Sequence, residues 1–217
     1  MPRRRRFSEA GHVYHVLNRA TQRLVLFESP GDYRAFEQLL LKARGRVGMR
    51  ILAYCLMPNH WHLLLWPMRT NDLSHFVQWL TSTHASRWNE AHATVGRGAV
   101  YQSRFKSIPV QDGSHLWWAW RYVERNALRA NLVRRAEDWS WGSLHKRRTH
   151  HEWLDAGPAT LPADWTEWVN IPQTAEETGA FRRCVANGTP YGRDGWLGNA
   201  WRRRRGRPDL RKTLKGV

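Results

Sequence analysis

The sequence predicts an α+β fold: a four-stranded antiparallel sheet of the split β-α-β, ferredoxin-like plan, with helices packed on it. Apolar runs of strand length alternate with segments of helical period in the order β-α-β-β-α-β, and a further helix follows the fourth strand. Turn-forming residues mark the joins. At 217 residues, 41% hydrophobic and 24% charged, the chain can bury a core as one compact domain with an appendage.

Residues 1–12 read as a basic arm, with Arg3, Arg4, Arg5 and Arg6 unable to pack and free to meet phosphate. Val13 to Leu17 forms the first strand. Ser29 then caps a helix, with Pro30 in its first turn and Asp32 completing a capping box. Phe36, Leu39, Leu40, Ala43 and Val47 keep its period, and Gly48 ends it. Met49 to Met57 is an apolar strand, separated by the Pro58-Asn59 turn from the next, His60 to Trp66, so the two pair antiparallel. Asn71 and Asp72 open a helix through Leu73, Phe76, Val77 and Leu80 toward Trp88, and Gly96 and Gly98 close it. A strand from about Tyr101 to Val110 completes the sheet, and Asp112 to Ser114 open a third helix running to Leu132.

The core domain is thus expected over 13–144. Residues 145–187 are expected to be an acidic, proline-containing linker or loosely packed appendage, because 151–180 hold six acidic side chains and no Lys or Arg. Residues 188–217 read as a basic tail, in which the RGRP segment bearing Arg205 and Arg207 resembles a short minor-groove hook.

Thirty-five Lys and Arg against 18 Asp and Glu leave 17 excess positive charges, which points to a polyanionic partner. Fourteen tryptophans supply faces for stacking on unpaired bases, although most of them belong to the core. Cys55 and Cys184 lie far apart with no CxxC, excluding a thiolate zinc finger and a disulfide framework and placing the chain in a reducing cytoplasm. Apolar stretches such as Leu63 to Trp66 are too short to span a bilayer, and no apolar run follows the Arg-rich start, so no membrane partner is expected. A metallohydrolase is disfavoured, since His151-Glu152 is followed by Asp155 where a helical HExxH site needs histidine.

Strand pleating sends His60 and His62 to one face and Trp61 and Leu63 to the other. Two neutral imidazoles on one face make a clamp for a divalent metal; the bare pattern is equally a packing or surface pair. On the third helix Leu116, Trp120, Val123 and Ala127 form the anchoring stripe, while Trp118, Tyr122 and Asn126 form another. A phenol there could attack a phosphodiester, and Asn126 could lend its amide oxygen to the same cation. Taken singly, Tyr122 also reads as an ordinary half-buried helix tyrosine.

The segments MPNHWHLLL at Met57 to Leu65 and YVERNALRANLV at Tyr122 to Val133 resemble the histidine-hydrophobic-histidine (HUH) motif and catalytic helix of single-tyrosine transposases. The N-terminal RRRRFSEAGHVYHVLNRATQRLVLF, the strand YQSRFKSIPV and GTPYGRDGW at Gly188 to Trp196 narrow the likeness to the REP-associated tyrosine transposases. Where that family often has Asn-Pro in the catalytic helix, this chain has Asn126-Ala127.

The resemblance implies an HUH endonuclease fold and a metal-dependent single-strand DNA endonuclease and strand transferase acting at palindromic hairpins through a 5′-phosphotyrosine. It makes Tyr122 the nucleophile, His60 and His62 ligands of Mg2+ or Mn2+, and Asn126 a third ligand. Arg19, Arg23, Arg104 and Lys106 join the two arms as candidate phosphate contacts. It implies a monomer, with a site-sharing dimer as the alternative. The competing reading is a non-catalytic single-stranded nucleic-acid-binding module of the same sheet-and-helix plan, in which Tyr122 and both histidines would be dispensable.

Overall fold

The computed structural model describes residues 7–198, 200 and 201, without the side chains of Arg23 and His151. Arg3, Arg4, Arg5, Arg6, Arg205 and Arg207 lie outside the described residues. Strands β1 (Val13–Arg19), β2 (Arg50–Met57), β3 (His60–Trp66) and β4 (Lys106–Val110) form one antiparallel sheet in the order β2-β3-β1-β4. This is the expected split β-α-β order. Helices α1 (Pro30–Val47) and α2 (Asp72–Ala91) supply its two crossovers.

Local chemistry fixes the α1 boundaries. Ser29 Oγ accepts from the Asp32 amide at 3.3 Å while Asp32 Oδ2 accepts from the Ser29 amide at 2.8 Å, and Gly48 ends the helix at φ 64°.

Strand alternation builds a core on each face. Tyr14, Val16, Trp61, Leu63 and Leu65 pack with Phe36, Leu39, Phe76 and Leu80 of α1 and α2. Val13, Cys55, Leu64 and Ile108 face the other way, onto Leu116, Trp120 and Val123 of α3 (Ser114–Glu124) and Ala127 of α4 (Asn126–Arg129). The stripe expected to anchor the third helix does so.

Four sequence expectations need correction. The third helix is not continuous to Leu132. It breaks at Arg125, where Asn126 Nδ2 donates to the Tyr122 and Val123 carbonyls at 3.1 and 3.4 Å and so competes with the helical ladder. The fourth strand begins at Lys106 rather than Tyr101; Tyr101 makes only an isolated bridge to Ala20, and its hydroxyl enters the core.

Residues 145–187, expected as a linker or loosely packed appendage, are packed helices. They complete α5 (Ser143–Thr149) and form α6 (Trp165–Asn170) and α7 (Ala175–Asn187), which bury Trp165, Val169 and Phe181 in the second core. The sequence hid this because few apolar residues are needed when a buried polar hub ties the helices together. Glu124 of α3 accepts from Ser143 Oγ at 2.7 Å and Trp165 Nε1 at 2.6 Å, and pairs with Arg147 at 3.3 Å. The loop between α5 and α6 packs so closely that a Cβ at Gly157 would lie 2.8 Å from the Trp120 ring. The 188–196 segment also joins the body, with the Tyr191 amide donating to the Pro109 carbonyl at 2.9 Å beside β4.

Behind β3, Trp61 Nε1 donates to the Tyr101 hydroxyl at 3.1 Å, which is hydrogen-bonded to His84 Nδ1 at 2.8 Å. The bulky residue between the two histidines is thereby anchored. Burial pushes His84 down to about 4, with His92 adding and Asp32 opposing. His84 is therefore neutral in the fold, whereas in the unfolded chain it takes a proton below about 6.5. Its contribution is complete above that pH and is lost as pH falls toward 4, a cost of about 3 kcal/mol. Thermal melting across this window should show a falling Tm, and His84→Gln should shallow the fall. An unaltered slope in that variant would place the acid sensitivity elsewhere.

Candidate active site

Pairing of β1 with β3 sets Leu17 opposite His62 and Arg19 opposite His60, so Val13, His15 and Leu17 share the face that displays the two histidines. His60 Nδ1 donates to Asn59 Oδ1 at 2.6 Å, leaving Nε2 with its lone pair. His62 Nδ1 lies 2.9 Å from His15 Nε2. With Nδ1–H of His62 as the donor, its Nε2 is also unprotonated. Among the described residues neither Nε2 has a protein hydrogen-bond partner, and both histidines line one cleft.

Burial is the leading cause that keeps all three rings neutral. It pushes His15 to about 3 with help from Arg129, and His60 to about 4 with help from Arg19 and Arg129. His62 is held well below its ordinary value by burial, then by His15 and His60.

Helix α3 lays Tyr122 across this face. Its ring is 7% exposed, with centroids 6.0 Å from His62, 6.2 Å from His15 and 4.5 Å from Phe181 of α7. The Arg129 guanidinium carbon sits 4.1 Å from the centre of the Tyr122 ring. Asn126 lines the same cleft, but its Oδ1 already accepts from Arg129 Nη2.

The cleft has a volume of about 630 Å³, and its lining includes Arg19, Arg104, Lys106, Arg129 and Arg182 and no acidic side chain among the described residues. Such a surface attracts a phosphodiester backbone. The structure thus brings Tyr122, His60, His62, Asn126, Arg19, Arg104 and Lys106 together. The side chain of Arg23, and Arg3, Arg4, Arg5, Arg6, Arg205 and Arg207, lie outside the described residues.

Sequence reasoning missed His15, Arg129, Phe181 and Arg182. His15 carried a readable signal, a histidine at the pleat position that faces His62 once β1 and β3 are neighbours. Phe181 and Arg182 carried none, because their segment was read as unpacked.

Among the described residues no three His, Cys, Asp or Glu side chains converge on a metal position. The residues present nevertheless fit a divalent cation: two neutral imidazoles with free Nε2 atoms at an open cleft leave room for phosphate and water oxygens.

The family model for IS200-like transposases matches residues 8–126, spanning β1 to the start of α4 with both histidines and Tyr122. The chain belongs to the IS200-like transposase family. As a family member it places Arg129, Phe181 and Arg182 beyond the matched region, on helices that complete the cleft. A solved REP-associated tyrosine transposase, bound to a REP hairpin, is similar in fold at 17% identity and a TM-score of 0.57, covering 75% of this chain and 96% of that one. A Deinococcus radiodurans R1 protein named as a transposase candidate matches at 16% identity and a TM-score of 0.40, over 72% of this chain and all of that one. No curated protein matches the chain. Among the described residues no helix is long and apolar enough to cross a membrane.

Proposed function

We propose that this transposase-family chain is a metal-dependent single-strand DNA endonuclease and strand transferase that acts at palindromic hairpins through a 5′-phosphotyrosine, as a REP-associated tyrosine transposase. The observation that carries the reading is the meeting of Tyr122 with the His60 and His62 rings in one basic cleft. The hairpin substrate comes from the structural neighbour, which was solved with a REP hairpin. Completeness of the site within one chain supports a monomer, since no tyrosine from a second copy is needed.

His60 and His62 would hold Mg2+ or Mn2+, with Asn126 as third ligand only if it exchanges Arg129 for the cation. Such an ion, when bound, would neutralise charge on the scissile phosphate. Arg19, Arg104, Lys106 and Arg182 grip the flanking backbone and fix its direction. Tyr122 attacks in line: its oxygen joins the phosphorus, the bond to the 3′ oxygen breaks, and the strand leaves with a 3′ hydroxyl. Attack by a 3′ hydroxyl on the tyrosyl phosphate reverses the step and joins strands. Phe181 and His15 hold the phenol ring in place by packing against it.

The test is incubation of the full chain with 5′- or 3′-labelled hairpin DNA carrying unpaired flanks, with Mn2+ or with EDTA, followed by a denaturing gel. A detergent-stable adduct should carry the 3′-labelled fragment only in the presence of metal. Absence of any adduct, with tight hairpin binding retained, would favour the non-catalytic binding module.

A further inference from the structure

Most arginines packed into the body of this protein hold a carboxylate or a backbone carbonyl, whereas Arg129 holds neither among the described residues. Arg44 pairs with Asp155, Arg135 with Glu137 and Arg147 with Glu124, while Arg121 and Arg125 donate to the carbonyls of Ile171, Val169 and Asn170. Arg129 has no carboxylate partner among the described residues. Nη2 donates to Asn126 Oδ1, Nη1 is buried with no hydrogen-bond partner, and the guanidinium carbon lies 4.1 Å from the Tyr122 ring centre. A partly buried, uncompensated cation with an orphaned donor lowers stability, and such a group persists where a ligand or a reaction supplies the missing anion. The surroundings name that anion: the cleft contains no carboxylate among the described residues, and the group against the guanidinium is the proposed nucleophile.

We propose that Arg129 is a further catalytic residue, which supplies the fixed positive charge that stabilises the Tyr122 oxygen and the phosphate it attacks as negative charge develops on them. This rests on the reading of Tyr122 as nucleophile and supplies a positive charge beside the phenol oxygen while the His60 and His62 nitrogens would be held by the metal. As the step proceeds, the Tyr122 O–H bond breaks and its proton passes to solvent water. The freed electron pair forms the bond to phosphorus, and the bond from phosphorus to the 3′ oxygen breaks with its pair on that oxygen, which takes a proton from water. Arg129 stays protonated throughout and exchanges no proton. The residue lies one turn beyond Asn126, and nothing in the sequence sets it apart from the other arginines of that stretch. Asn126 gains a role with it: its Oδ1 aims the guanidinium at Tyr122.

The experiment compares the unmodified chain with Arg129→Met, Arg129→Lys and Arg129→Ala. Rates of adduct formation on the labelled hairpin are measured with Mn2+, and melting is measured without DNA. Arg129→Met should lose about 10²- to 10³-fold in adduct rate, the scale of removing one preorganised charge stabiliser. Arg129→Lys should keep only part of the rate, because an ammonium cannot reproduce the planar stack on the phenol. Guanidinium ion added at low concentration should restore part of the Arg129→Ala rate. The Tm of Arg129→Met without DNA should equal or exceed that of the unmodified chain, since an unpaired charge has been removed from a partly buried place.

An Arg129→Met rate within about threefold of the unmodified chain would overturn the proposal and leave the endonuclease reading standing. A lost rate with a lowered Tm and no guanidinium rescue would assign Arg129 a structural role and also overturn it. Failure of the unmodified chain to form any adduct would instead remove the endonuclease reading itself, and this proposal with it.

Discussion

Tyr122→Phe should bind hairpin DNA as the unmodified chain does and give neither nick nor adduct, a loss of about 10⁴-fold or more in cleavage. The substitution removes one oxygen and little else. Phe keeps the ring that Phe181 meets at 4.5 Å and over which Arg129 sits at 4.1 Å, so the second core and the cleft walls should survive. Binding rests on the arginines and lysine of the cleft, and of these the change touches only Arg129, which loses its contact with the Tyr122 hydroxyl. The measurement is a paired one, hairpin affinity by titration and adduct yield on a denaturing gel, with melting as the control for folding. An adduct that persists would move the nucleophile elsewhere. Tyr101 is withheld from the cleft: it is held between Trp61 and His84 behind β3, and burial raises its hydroxyl above the ordinary tyrosine value.

The fold was legible where local rules and tertiary packing agree. The Ser29-Pro30-Asp32 start, the Pro58-Asn59 turn and the alternation through His60 to Trp66 each specify their element without help from distant residues. The candidate site was legible to the extent that it lies on those elements: spacing put His60 and His62 on one strand face and Tyr122 on a helix stripe with Asn126, and the family resemblance implied their roles. What stayed hidden depends on long-range packing. Glu124 looks like one more charge on a helix, and only the folded chain shows it accepting from Ser143 and Trp165 and so docking the C-terminal helices. Because α7 was read as part of a linker or loosely packed appendage, Phe181 and Arg182 could not be placed over the cleft. Arg129 was invisible for a different reason. Its significance lies in the absence of an anion beside it, and a sequence does not display which charges are left unpaired.

Replacing both His60 and His62 with Ala should bring metal-dependent cleavage down by about 10²- to 10⁴-fold, the range that several kcal/mol of charge neutralisation implies. The two single replacements should differ in what they do to the protein. His60 is partly exposed and makes its one side-chain hydrogen bond to the neighbouring Asn59, so His60→Ala should melt close to the unmodified chain. His62 is 5% exposed and bonded to His15, itself buried, so His62→Ala leaves a ring nitrogen of His15 without its partner and should cost about 1–3 kcal/mol of stability. Two readouts separate loss of metal from loss of fold. Mn2+ binding, followed by electron paramagnetic resonance without DNA, should weaken in both single variants, including the stably folded His60→Ala. EDTA should reduce the unmodified chain to the rate of the double variant and leave the double variant unchanged. Hairpin affinity should change little, because the cleft cations remain. A double variant that cleaves at the unmodified rate, or that still responds to EDTA, would place the metal away from the β3 histidines and leave their free Nε2 atoms without a role in the reaction.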